Sequence, residues 1–115
     1  MKVVINQCYG GFGISNKAFE RYLNIKGIAF ESYVTKYCSR LYYKAGHLKE
    51  DDYNLSEYDI ERNDPALVQV VEELGLEANS QYSSLKVVEI PDDVKWYVSE
   101  YDGWETIHEE HRTWF

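Results

Sequence analysis

The sequence predicts an α+β fold, an antiparallel sheet packed with two helices in a single small domain over residues 1–115. Two segments repeat apolar residues at three-to-four spacing between a capping residue and a glycine: Ser15 to Gly27 and Asp64 to Gly75. Several other runs are rich in Val, Ile and Tyr, and Asp102-Gly103 separates two of them as a two-residue hairpin turn. A hydrophobic fraction of 44% argues against general disorder. No apolar run reaches the roughly 18 residues that a membrane helix needs.

In chain order, Lys2-Val3-Val4-Ile5 is a short β-prone run that hands over to Asn6-Gln7-Cys8-Tyr9-Gly10-Gly11-Phe12-Gly13-Ile14-Ser15. Ser15 then caps a helix over Asn16 to Lys26, with Ala18, Phe19, Tyr22, Leu23 and Lys26 at helical spacing and Gly27 closing it. Ile28 to Gly46, dense in Tyr and Phe, reads as two short strands. Glu50 to Glu57 is a polar loop and Tyr58 to Glu61 an edge strand. Asp64-Pro65 opens the second helix, Asp as N-cap and Pro at the first helical position, and Leu67, Val68, Val71 and Leu74 form its apolar stripe. That stripe is core or partner contact. Leu85 to Ile90 is a strand closed by Pro91, and Val94, Trp96 and Val98 alternate with Lys95, Tyr97 and Ser99 up to the Asp102-Gly103 turn. A return strand from Trp104 to about Trp114 puts Trp104, Thr106, His108, Glu110, Arg112 and Trp114 on one face, a polar set for a core and so a second place for a site.

Charge is divided along the chain. Residues 1–49 carry a net +6 and residues 50–115 a net −14, for −8 in all. Halves of opposite sign attract, within a chain or between copies. Extended nucleic-acid binding is disfavoured because it wants a broad basic face. A small anion held by one or two arginines is compatible with this charge. Val3-Val4-Ile5 is too short for a signal-peptide core, and two cysteines, Cys8 and Cys38, make neither a disulfide framework nor a zinc site, so a cytosolic protein with free thiols is expected.

The chemistry-bearing candidate is the glycine loop. Tyr9, Gly10, Gly11, Phe12 and Gly13 lie between a strand and a helix N-terminus, where glycine lets amides approach an anion and the helix dipole favours negative charge; the same pattern also serves as a plain tight turn. The spacing is neither a Walker loop nor a dinucleotide fingerprint. His108 and His111 point oppositely on a strand, which removes a metal pair, and Cys8, Asp51-Asp52 and Asp92-Asp93 form no enzyme constellation, so no cofactor, metal or catalytic residue is expected.

Four blocks carry a resemblance: Lys2 to Asn6 with Tyr9 to Gly13; Ile60-Glu61-Arg62-Asn63-Asp64-Pro65 with Val70 to Gly75; Lys86 to Val94; and Glu100 to Gly103 with His111-Arg112-Thr113-Trp114. Together they resemble a small family widespread in bacteriophages, similar to the Thoeris anti-defence proteins of the first described type, which sequester cyclic ADP-ribose signals made by bacterial TIR-domain enzymes. The resemblance implies a non-enzymatic sponge in the host cytoplasm. It implies a homo-oligomer, a dimer or larger up to a hexamer, holding a cyclic nucleotide between protomers and in some members cyclic oligonucleotides at separate sites. Carried onto this chain, it makes Gly10, Gly11, Phe12, Gly13, Arg62, His111, Arg112 and Trp114 expected ligand contacts, and the loop's own chemistry adds Tyr9 as a ring for stacking. Ile28 to Asn54 matches no family block. The alternative of another class is an acidic phage protein that inhibits a host nucleic-acid-binding protein as a decoy, motivated by the −14 count; a small nucleotide hydrolase ranks third.

Overall fold

Apolar β-branched residues open the chain and form β1, Lys2–Asn6, in which Val3, Val4, Ile5 and Asn6 are all buried. A strand buried on both faces needs cover on both. In the computed structural model, which describes residues 1–34, 40–45 and 55–109, that cover comes from α2, Pro65–Leu74, and from the terminal ribbon of β5, Trp96–Tyr101, and β6, Trp104–Glu109. The remaining elements are α1, Asn16–Ile25; β2, Phe30–Val34; β3, Arg40–Lys44; β4, Leu85–Glu89; and short 3₁₀ turns at Glu57–Asp59 and Gly75–Ala78.

The fold is α+β. Among the described residues it has two helices and six antiparallel strands, and the strands pair as three two-stranded ribbons: β1 with β4, β2 with β3, and β5 with β6. Register is set by apolar pairing, as in Val3 opposite Val88 and Val4 opposite Val87. The core lies where α1, α2 and β1 meet: Phe19, Tyr22 and Leu23 of α1 pack with Leu67, Val68 and Val71 of α2, and Tyr42 of β3 sets its ring edge-on to Phe19 at 5.0 Å.

Both helices begin as their sequences dictate. The Ser15 side chain accepts the Ala18 amide at 3.1 Å, and the Asp64 side chain accepts the Ala66 amide at 2.9 Å. Of the apolar stripe of α2, Leu67, Val68 and Val71 are buried as core and Leu74 packs half-buried against it. The charge division is used inside the chain: Lys2 pairs with Glu72, Lys17 with Glu77, Arg21 with Glu73 and Lys26 with Asp64, each joining the basic part to the acidic part. One expectation is corrected. Tyr58 to Glu61 is not a strand, because Ser56 caps the Tyr58 amide and turns Glu57–Asp59 into a 3₁₀ turn. Asp102 and Gly103 take φ of 49° and 89°, the positive values that the predicted hairpin turn requires. Cys8 is a free thiol; Cys38 lies outside the described residues.

Candidate functional site

The glycine loop leaves β1 at Asn6, whose buried side chain organises the loop and its neighbours. Its Nδ2 donates to the Cys8 carbonyl at 2.7 Å and the Gly103 carbonyl at 2.8 Å, while its Oδ1 accepts the Ser84 amide at 2.8 Å. One asparagine therefore ties the loop to the β5–β6 turn and to the approach of β4. The contact between loop and turn is backbone to backbone: a Cβ at Gly103 would strike the Gly11 amide and the Tyr9 carbonyl. Only glycine fits there, on steric grounds as well as through its positive φ.

Arg62 fixes the same junction from the other side. Its Nη1 and Nη2 donate to Glu105 Oε1 and Oε2 at 2.5 and 2.8 Å, and its guanidinium carbon stands 3.6 Å from the centre of the Phe12 ring. Glu105 Oε1 also accepts the Asn6 amide at 2.8 Å, and the Arg62 carbonyl accepts the Val4 amide at 2.8 Å. Glu105 is 5% exposed, so this carboxylate is buried with its charge balanced and both oxygens bonded.

These contacts expose one aromatic surface. Tyr9, 65% exposed, meets Trp104 at 5.2 Å between ring centres with a 47° tilt. Together with Tyr101, Ser99 and Thr106 the two rings line a notch of about 160 Å³. On β6, Trp104, Thr106 and His108 face outward and Glu105 faces inward, as the strand alternation predicts; His108 stacks on Tyr97 at 5.4 Å between ring centres.

The expected contacts are therefore split. Tyr9 borders the notch, whereas Phe12, 9% exposed, lies beneath Arg62 as a support for it. The Nη1–Nη2 fork of Arg62 is occupied by Glu105. Gly10 and Gly13 sit against Tyr82 and Ser80, and the Gly13 carbonyl accepts the Ser83 hydroxyl at 2.7 Å. The anion-binding reading of the helix entrance also meets a carboxylate: Glu57 Oε2 accepts the Ile14 amide at 2.6 Å, and burial pushes Glu57 above the ordinary carboxylate range against the lowering effect of that bond. His111, Arg112 and Trp114 lie outside the described residues. The sequence singles out Asn6 only as the first residue of the loop stretch and does not give Glu105 its buried role; an acid on the inward register of β6 is the available sign.

A larger cavity, about 680 Å³, lies elsewhere, along the outer side of α2 and the start of β1 between Lys2, Val68 and Glu72. It is an open groove and touches none of the expected contacts. Among the described residues no group of three or more His, Cys, Asp or Glu is placed to hold a metal ion.

Fold and junction together define a small α+β protein in which a β-ribbon is clasped to a glycine loop, with an aromatic notch at the seam. No protein-family model, curated protein or solved structure matches this chain.

Proposed function

We propose that this protein binds a cyclic ADP-ribose-type nucleotide and withholds it without turnover, as a bacteriophage anti-defence protein acting in the host cytoplasm. The observation that carries the reading is the exposed Tyr9–Trp104 pair, held on a backbone junction that only glycine permits. Base–aromatic stacking contributes about 1–3 kcal/mol per base, and a notch whose two walls are fixed before the ligand arrives loses little ordering entropy on binding. Ser99 and Thr106 add hydroxyls at its rim.

The notch takes the uncharged part of the ligand. Its lining of Tyr9, Ser99, Tyr101, Trp104 and Thr106 carries no cation, and Arg62 is neutralised by Glu105. At about 160 Å³ it is base-sized, below the roughly 300 Å³ at which pockets begin to enclose a whole ligand of this kind. The pyrophosphate falls to Arg112 and to a second protomer, which is the homo-oligomeric arrangement that the family resemblance implies.

The test is depletion followed by recovery. Protein in excess over cyclic ADP-ribose removes it from an ultrafiltrate, and heat denaturation returns it with unchanged chromatographic mobility. Ligand left free in the filtrate, or returned as linear ADP-ribose, contradicts a sponge.

A further inference from the structure

We propose that Arg62 and Glu105 are positioning residues of the notch and that Arg62 is not a phosphate ligand. The two walls of the notch come from different elements: Tyr9 belongs to the loop and Trp104 to β6. Arg62 grips both. The flat face of its guanidinium rests on Phe12, three residues along the loop from Tyr9, and the edge of the same group forks onto Glu105, the residue after Trp104. A planar cation that stacks through its face and donates through its edge is specific to arginine. Glu105 is held in turn by the Asn6 amide, so the bracket is anchored to the buried strand β1. Since the Nη1–Nη2 fork is engaged by a carboxylate that is itself buried, the cation is committed to that carboxylate and sets the spacing of the rings.

The inference rests on the notch being the nucleotide site, and one readout is independent of that reading. In a Trp96→Phe, Trp114→Phe background Trp104 is the sole tryptophan, and its emission anisotropy reports how firmly it is held without any ligand. Glu105→Gln should lower that anisotropy while far-ultraviolet circular dichroism stays unchanged. In titrations it should weaken cyclic ADP-ribose and adenosine by the same factor, about tenfold, because both insert a base. Should Glu105→Gln not fold, Arg62→Lys gives the same reading, since lysine keeps the charge and loses the fork. Unchanged anisotropy in a folded variant overturns the proposal. So does tighter binding of cyclic ADP-ribose by Glu105→Gln with adenosine unaffected, which is the result if the released guanidinium seeks phosphate. Absence of binding by the unaltered protein defeats the nucleotide reading and leaves the anisotropy result to decide the positioning role.

Discussion

At the scale of single residues, the seam between loop and ribbon concentrates the most sensitive positions. Gly103→Ala forces a methyl group into the Gly11 backbone at a positive φ, so it should destabilise by about 1–3 kcal/mol in denaturant unfolding, whereas the same change at Gly11, where a Cβ meets nothing, costs only the φ strain. Arg62→Ala leaves Glu105 buried and unpaired, with an expected loss of about 3 kcal/mol or more. Glu57 behaves oppositely. Its carboxyl is raised by burial, so the folded chain binds its proton more tightly than the unfolded chain, and ionisation costs stability as pH rises through the folded value. Glu57→Gln keeps an acceptor for the Ile14 amide and should raise the melting temperature at pH 7 and leave it unchanged near pH 4. The glycine loop was legible as a special turn because glycine clusters report backbone geometry. The surfaces it packs against were not, since Tyr82, Ser80 and Gly103 lie about 70 to 90 residues away and no local pattern announces them.

Among the elements, the helices were the most legible, because a cap, an apolar period and a terminating glycine are all local signals. Asp64 shows how much one such signal holds. Burial acts to raise its carboxyl, but hydrogen bonds from Tyr22, the Ala66 amide and Lys26 outweigh that and hold it below the ordinary range. The folded value is depressed, so this stabilisation is complete above the unfolded value near 4 and is lost as pH falls through the folded one. Thermal unfolding at pH 6 and pH 3 should show that loss, and Asp64→Asn should lack it. Asp64→Ala removes the cap and strands the Tyr22 hydroxyl, with an expected cost of about 2 kcal/mol. Leu67→Ala, fully buried between α2 and the core, should cost about 3 kcal/mol. Strand pairing was less legible than the helices. The hairpin at Asp102-Gly103 came from its turn, but the partner of β1 is β4, about 80 residues on, and the edge strand expected at Tyr58 gave way to a serine-capped 3₁₀ turn.

For the whole molecule, the division into a basic and an acidic part finds its first use within the fold, where Lys2, Lys17, Arg21 and Lys26 reach across to Glu72, Glu77, Glu73 and Asp64. The pairs of Lys2, Lys17 and Arg21 are solvent-exposed and screened by salt, each contributing at most about 1 kcal/mol, whereas the carboxylate of Asp64 is mostly buried. They occupy several of the carboxylates that a decoy for a nucleic-acid-binding protein would present, and this weakens the alternative reading. A sponge requires instead that a preformed aromatic notch seat a base. Isothermal titration of cyclic ADP-ribose isomers into the protein and into Trp104→Ala tests this most directly. Saturable heat with at least one isomer is predicted, together with an affinity at least tenfold weaker in the variant, in line with a lost stacking energy of about 1–3 kcal/mol. No heat with any isomer, or equal affinity in the two proteins, contradicts base seating in the notch.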